Sequence, residues 1–272
     1  MKRTVIVAAL LLVCAIASAQ TSNDFKEKYQ RQIKMLGVAG VGVETIIERW
    51  EEAFPEDGDM LEAKFLYYYS KGQGNKIEAK YSDKYLGAKP VLTLKDSTGR
   101  DVHYFEEVTF VDSLFARSQS AIDKAIAIYP NDIQYRLDKI SSLMAYEKES
   151  PDLAYAELNK LIDLRSAKWT YNGEPVQEDE FLDIVQEYCS KFFSIGTPNG
   201  YEFFRMISEK MSKLYPKNAL FVGNLGSYWF VGKENYKKAQ SYYKKALKID
   251  PADAAANRNM KLLERRMASG KK

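Results

Sequence analysis

Cysteine and histidine are almost missing from this chain. Its 272 residues hold two cysteines, Cys14 and Cys189, and one histidine, His103. With Cys14 in an expected leader, no internal disulfide can form, and stability has to come from packing. One histidine and one remaining cysteine leave the common zinc ligand sets unfilled. Excess charge of one sign is missing too: 40 Lys and Arg face 37 Asp and Glu. Such a balance gives no basic surface for nucleic acid or an anionic membrane. Catalytic signatures are equally sparse. Gly37, Gly40 and Gly42 give GxxGxG with no strand before them, so a dinucleotide loop fails and they read as a turn between helices. Gly232-Lys233 lacks a glycine at phosphate-loop spacing, and no GxSxG occurs. Acid pairs such as Glu51-Glu52 and Glu106-Glu107 read as solvated faces. His103 reads as a surface or packing residue. Cys189 falls in the 3–4 residue apolar period of Phe181, Leu182, Val185, Tyr188 and Phe192, hence as a buried small hydrophobe. The expectation is no enzyme, no cofactor and no metal.

Long apolar runs are confined to the start. Lys2 and Arg3 precede an uncharged stretch from Val5 to Ala17, and Ala17-Ser18-Ala19 has the small-x-small form of a signal-peptidase site. About 13 apolar residues are too few for a membrane span, which needs about 20. Residues 1–19 are therefore expected to be a cleaved signal peptide, with Gln20 first in an exported, periplasmic or secreted protein. Acylation at Cys14 is the alternative, but Val13 is bulky where a lipoprotein signal has a small residue. After cleavage 38 basic residues face 37 acidic ones, and no later segment is apolar enough to span a bilayer.

What the chain does have is repetition. Phe54-Pro55-Glu56-Asp57, Tyr129-Pro130-Asn131-Asp132, Tyr215-Pro216-Lys217-Asn218 and Asp250-Pro251-Ala252-Asp253 each close an amphipathic run and open another. Proline ends the outgoing helix because it lacks the N–H and clashes with the previous turn. The Asp or Asn two residues later caps the next helix. Pro216 to Pro251 is 35 residues, Pro130 to Pro216 is 86 and Pro55 to Pro130 is 75. The two longer gaps locate insertions. Residues 166–177 carry Asn172-Gly173 between strand-like residues, and 76–109 carry Asp96-Ser97-Thr98-Gly99 between apolar runs; both predict β-hairpins. The rest predicts five helix pairs: 22–36 with 40–54, 58–72 with 111–129, 132–148 with 151–165, 178–195 with 199–215, and 218–231 with 235–249. A capping helix over 252–268 and a disordered tail over 269–272 complete a single domain over 20–268.

The fifth pair resembles the tetratricopeptide (TPR) repeat. Leu225, Gly226, Trp229, Tyr236, Ala239, Tyr243, Ala246 and Pro251 follow that consensus in order and kind, with one extra residue in the turn before Tyr236. Ser118 and Ala125 hold the places of Ala239 and Ala246 in the second pair, whereas Phe204 and Met211 hold them in the fourth. The resemblance implies an all-α, right-handed superhelix of about five helix pairs plus a capping helix, with the two hairpins as decorations. It also implies a scaffold or adaptor that holds a protein or peptide partner on the concave face of its first helices.

Carried over residue by residue, the resemblance makes Asn224 a ligand-holding position, with Asn259 in the equivalent place of the capping helix and Arg258 beside it. Gly223 and Ser227 depart from the family's carboxylate clamp. The hairpins offer a rival site in Trp169 and Tyr171, or in His103, Tyr104 and Phe105, where exposed rings would suit sugar stacking or a protein hot spot. Tyr67-Tyr68-Tyr69 cannot all face one side of a helix, so one ring should be partly exposed. An outer-membrane glycan binder and an envelope-assembly lipoprotein are the alternative readings. Partner identity and oligomeric state have no signature in the sequence.

Overall fold

The computed structural model describes residues 20–269. The expected signal peptide, Cys14 included, and the last three residues lie outside that range. The described chain is mostly helical: α1 (Ser22–Leu36), α2 (Val43–Ala53), α3 (Gly58–Gly72), α4 (Asp112–Ile128), α5 (Ile133–Glu147), α6 (Asp152–Asp163), α7 (Glu178–Ser194), α8 (Pro198–Leu214), α9 (Ala219–Ser227), α10 (Tyr236–Ile249) and α11 (Ala254–Ser269). A single π-helical turn, Tyr228–Gly232, extends α9. The Pro-x-Asp/Asn phrases act as the sequence predicts. Asp57 accepts from Met60 N at 2.8 Å, Asp132 from Gln134 N at 3.0 Å, Asn218 from Leu220 N at 2.9 Å and Asp253 from Ala256 N at 2.7 Å. Each bond satisfies an N–H that the first helical turn would otherwise leave unpaired.

The first insertion differs from expectation. It is a three-stranded sheet of β1 (Gln73–Lys80), β2 (Leu92–Lys95) and β3 (Asp101–Phe110), in the order β1-β3-β2. The expected hairpin is its β2–β3 half, antiparallel with Leu92 opposite Tyr104 and Lys95 opposite Asp101. The second insertion is the expected hairpin, β4 (Thr170–Tyr171) against β5 (Glu174–Pro175). Asn172 and Gly173 turn it with φ of 51° and 80°, the left-handed pair that matches the twist of a two-residue hairpin.

The chain divides into two compact units, residues 20–73 with 111–130, and residues 74–110 with 131–269. In the first, α3 packs along α4 and α1 along α2. Phe25 stacks on Trp50 at 6.3 Å, and Trp50 Nε1 donates to Ser22 Oγ at 2.8 Å. Tyr67 and Tyr68 are buried and donate to Glu44 at 2.9 and 3.2 Å, while Tyr69 is the ring left half-buried. The Lys71 ammonium, then the Tyr67 hydroxyl, hold the Glu44 carboxyl below its ordinary range.

In the second unit α5 packs with α6, α7 with α8, and α9 with α10. The small residues Ala239 and Ala246 are fully buried with Tyr243. A Cβ on Gly226 would lie 2.5 Å from the Tyr243 ring, so glycine lets that ring sit flat on α9. Cys189 is buried as predicted, and burial pushes its thiol up to about 12. Among the described residues, no helix is long and apolar enough to cross a membrane.

Candidate partner-binding groove

A broad concavity of the second unit lies between α5 and α7. Asp132 starts α5, and a reciprocal Gln177–Glu180 capping box starts α7. Midway along, the two helices are tied by side chains. Tyr188 Oη lies 2.7 Å from Ser141 Oγ and donates to Leu137 O at 2.9 Å. Tyr188 is buried; that burial, outweighing the Ser141 bond and joined by the nearby Asp138 and Glu187 charges, pushes its hydroxyl up to about 12. It stays a neutral donor that fixes the groove floor.

Two clefts meet along this floor, sharing Glu187. The one toward the C-terminal ends of both helices measures about 670 Å³ and is mainly apolar, with Met144, Ala145, Val108 and Ile195 on its surface. The sheet walls it. Leu86 and Gly87, with φ of 49° and 77°, turn the β1–β2 connection back toward α7. A Cβ on Gly87 would lie 2.1 Å from Ser194 O, so no side chain fits there. Below the wall the buried Glu107 carboxylate takes the Lys148 ammonium and, at 3.7 Å, that of Lys76. Tyr85 packs edge-on to Phe105 at 5.8 Å, with Lys80 at 3.9 Å over its ring.

The cleft toward the N-terminal ends measures about 520 Å³ and is walled by the hairpin. Its charge is one-sided: Asp138, Glu174, Glu180, Asp183 and Glu187 line it, with no lysine or arginine. Glu180 is engaged by the Gln177 N–H at 2.8 Å, and Glu187 by Lys191 at 2.7 Å. Asp138 Oδ1 accepts from Gln134 at 2.8 Å, but its Oδ2 is buried without a partner. Burial, against the Gln134 bond and with the Asp132 charge, raises the Asp138 carboxyl above its ordinary range.

The residues expected to bind a partner are dispersed. Tyr171, 44% exposed, stands in the hairpin wall of the groove. Trp169 is only 4% exposed; its ring lies under the Arg136 guanidinium at 5.5 Å, and it packs the hairpin rather than facing solvent. Asn224 is 8% exposed and its amide is spent inside the unit, donating to Gln186 Oε1 at 2.7 Å and accepting from Gln186 Nε2 at 3.3 Å. Asn259 donates to Ser227 Oγ at 3.3 Å, and Arg258 is exposed. Neither Asn224, Arg258 nor Asn259 lines the groove. In the sheet, Phe105 is buried and His103 Nδ1 pairs with Thr93 Oγ1 at 2.8 Å.

Asp138, Met144 and Asp183 are the groove residues that the sequence does not single out. They sit on the faces of α5 and α7 that the buried stripe leaves free, and periodicity reports only the stripe. Among the described residues no group of three or more His, Cys, Asp or Glu could hold a metal ion. No protein-family model matches the chain, and no curated protein matches it significantly.

Proposed function

We propose that this chain is an exported, non-catalytic adaptor of the TPR-like kind that holds a peptide or protein segment in the groove between α5 and α7. The observation that carries the reading is the position of that groove. α5 and α7 are the first helices of the third and fourth predicted pairs, the elements that line the ligand face in the repeat the fifth pair resembles. A groove with an apolar half adjoining an acidic half suits an extended segment better than a compact small molecule. Stacking of the five pairs into a right-handed superhelix belongs to the same reading, because a helical hairpin cannot bury its apolar stripe alone. Export rests on Lys2-Arg3, the Val5–Ala17 run and Ala17-Ser18-Ala19.

Photo-crosslinking in the producing cell tests the groove. A benzophenone amino acid at the exposed Ser190, inside the groove, is expected to give a discrete adduct that the same group at the exposed Lys245 on α10 does not. Adducts at Lys245 with none at Ser190 sink the reading. Mass spectrometry of the same preparation reads the N-terminus: Gln20 supports cleavage, and an acylated Cys14 replaces the free adaptor with a lipid-anchored one.

A further inference from the structure

The two halves of the groove differ in chemistry, and the difference specifies an occupant. The sheet-walled half offers Met144, Ala145 and Val108. The hairpin-walled half offers five carboxylates without a single lining cation. The first turn of a helix favours acids for its own sake, since its free N–H groups carry partial positive charge. That accounts for Glu180, which closes the capping box, but not for Asp138, Asp183 or Glu174. Asp138 lies in the second turn of α5, Asp183 in the second turn of α7 and Glu174 on β5. Neither Asp183 nor Glu174 has an ion-pair partner among the described residues. The Asp138 carboxylate is the independent observation: it lines the cleft with one oxygen bonded to Gln134 and the other buried without a donor, so a cation brought beside it supplies compensation that the chain itself does not.

The spacing can be read off the helix. Asp138 and Ala145 are seven residues apart on α5, or about 10 Å along its axis. An extended chain advances about 3.3 Å per residue, so about three residues cover that distance. We propose that the groove takes an extended peptide carrying lysine or arginine about three residues from an aliphatic side chain. The cation is held by Asp138 and Asp183, and the aliphatic group by Met144, Ala145 and Val108. This rests on the adaptor reading and names its partner chemistry. The inserted hairpin supplies part of the acidic half through Glu174, so the insertion sets selectivity rather than merely decorating the array.

The test is selection from a displayed library of random twelve-residue peptides against the full chain, followed by anisotropy titration of the enriched peptides. Four variants are compared: Ala145→Trp, which fills the apolar half at an exposed position, and Asp138→Asn and Asp183→Asn, singly and together. Circular dichroism and melting confirm that each is folded. Enriched peptides should carry a basic residue about three positions from an aliphatic one. Their affinity should fall at least tenfold in the double Asn variant and in Ala145→Trp, and should weaken as salt is raised. Peptides that lose binding in Ala145→Trp but are neutral or acidic overturn this inference while leaving the adaptor reading intact. Peptides indifferent to Ala145→Trp, or no enrichment at all, overturn both.

Discussion

The Lys148 ammonium rests on the buried Glu107 carboxylate while the backbone of Lys148 itself is left-handed, with φ 58°. One residue thus ends α5, holds a strained conformation and anchors β3 of the sheet. A non-glycine residue keeps such a φ only where its surroundings over-determine it. Glu107→Ala removes the anchor and leaves the ammonium half-buried without a partner. It should destabilise the fold by about 1–3 kcal/mol in urea unfolding. Lys148→Gly should lose about 1 kcal/mol less than Lys148→Ala, because glycine accepts the positive φ that alanine does not. Equal losses in the two would mean that the backbone there is unstrained.

Gly226 tests the close approach of α9 and α10. A methyl group at this position meets the Tyr243 ring at 2.5 Å, and that ring is fully buried with nowhere to move. Gly226→Ala should cost about 1–3 kcal/mol from overpacking, even though alanine is the better helix former. Tyr243→Phe, which loses the hydroxyl's 3.1 Å contact with Ser227 Oγ and its bond with Asn259 but keeps the ring, should cost about 1 kcal/mol. Melting temperatures in this order check the claim; a neutral Gly226→Ala contradicts the close crossing.

Trp169 separates packing from recognition. Its ring is buried beneath Arg136, so Trp169→Ala should destabilise the second unit by about 3–5 kcal/mol. Tyr171→Ala, at an exposed wall position, should leave stability within about 0.5 kcal/mol. Loss of near-ultraviolet circular dichroism in the first variant and not in the second is the expected signature.

Asp138 should trade stability for binding. Its folded-state carboxyl titrates above the ordinary range, so the folded protein holds that proton to higher pH than the unfolded chain does. Its contribution to stability is therefore full at low pH and declines as pH rises through the folded value. Asp138→Asn removes that decline and should raise stability at pH 7 by roughly 0.5–2 kcal/mol. Guanidinium denaturation at pH 4 and pH 7 reads both effects, and a variant less stable than the parent at pH 7 contradicts the burial argument.

Alkali should unfold the protein partly through Cys189. The thiol's ordinary value is 9.0 and its folded value about 12, so between them the unfolded chain loses a proton that the folded one keeps. Stability attributable to this site is intact below pH 9.0 and falls as pH rises toward 12. Cys189→Ala or Cys189→Ser should blunt that decline. Iodoacetamide at pH 8 should label the thiol only after unfolding; rapid labelling of the folded protein would show that the site opens.

How far the sequence discloses this arrangement depends on which physics each residue obeys. Helix starts are legible at Asp57, Asp132, Asn218 and Asp253 because capping is a local bond between near neighbours. The Asn172-Gly173 turn is legible for the same reason. β1 is not: Gln73–Lys80 has Gly74 and only Ile77 and Ala79 as apolar residues, and its strand character comes from pairing with β3, distant in sequence. The consensus-matching Asn224 suggests a ligand contact, yet a single sequence does not tell a solvent-facing amide from one paired to Gln186. Asp138 and Asp183 meet at the groove only because α5 and α7 run side by side, a relation that neither helix records alone.

The π-helical turn at Tyr228–Gly232 governs how the chain passes from α9 to α10. Lys233 N reaches back to Tyr228 O at 3.2 Å, and Asn235 N to Trp229 O at 2.7 Å, each a wider loop than an α-turn closes. A widened turn takes up more chain than an α-turn without prolonging the helix, so α9 closes at Gly232 and α10 starts afresh behind Asn235, whose Oδ1 accepts from Lys238 N at 3.1 Å. The rotational setting of α10 is therefore fixed by packing rather than by the turn, with the Tyr243 ring seated against Gly226.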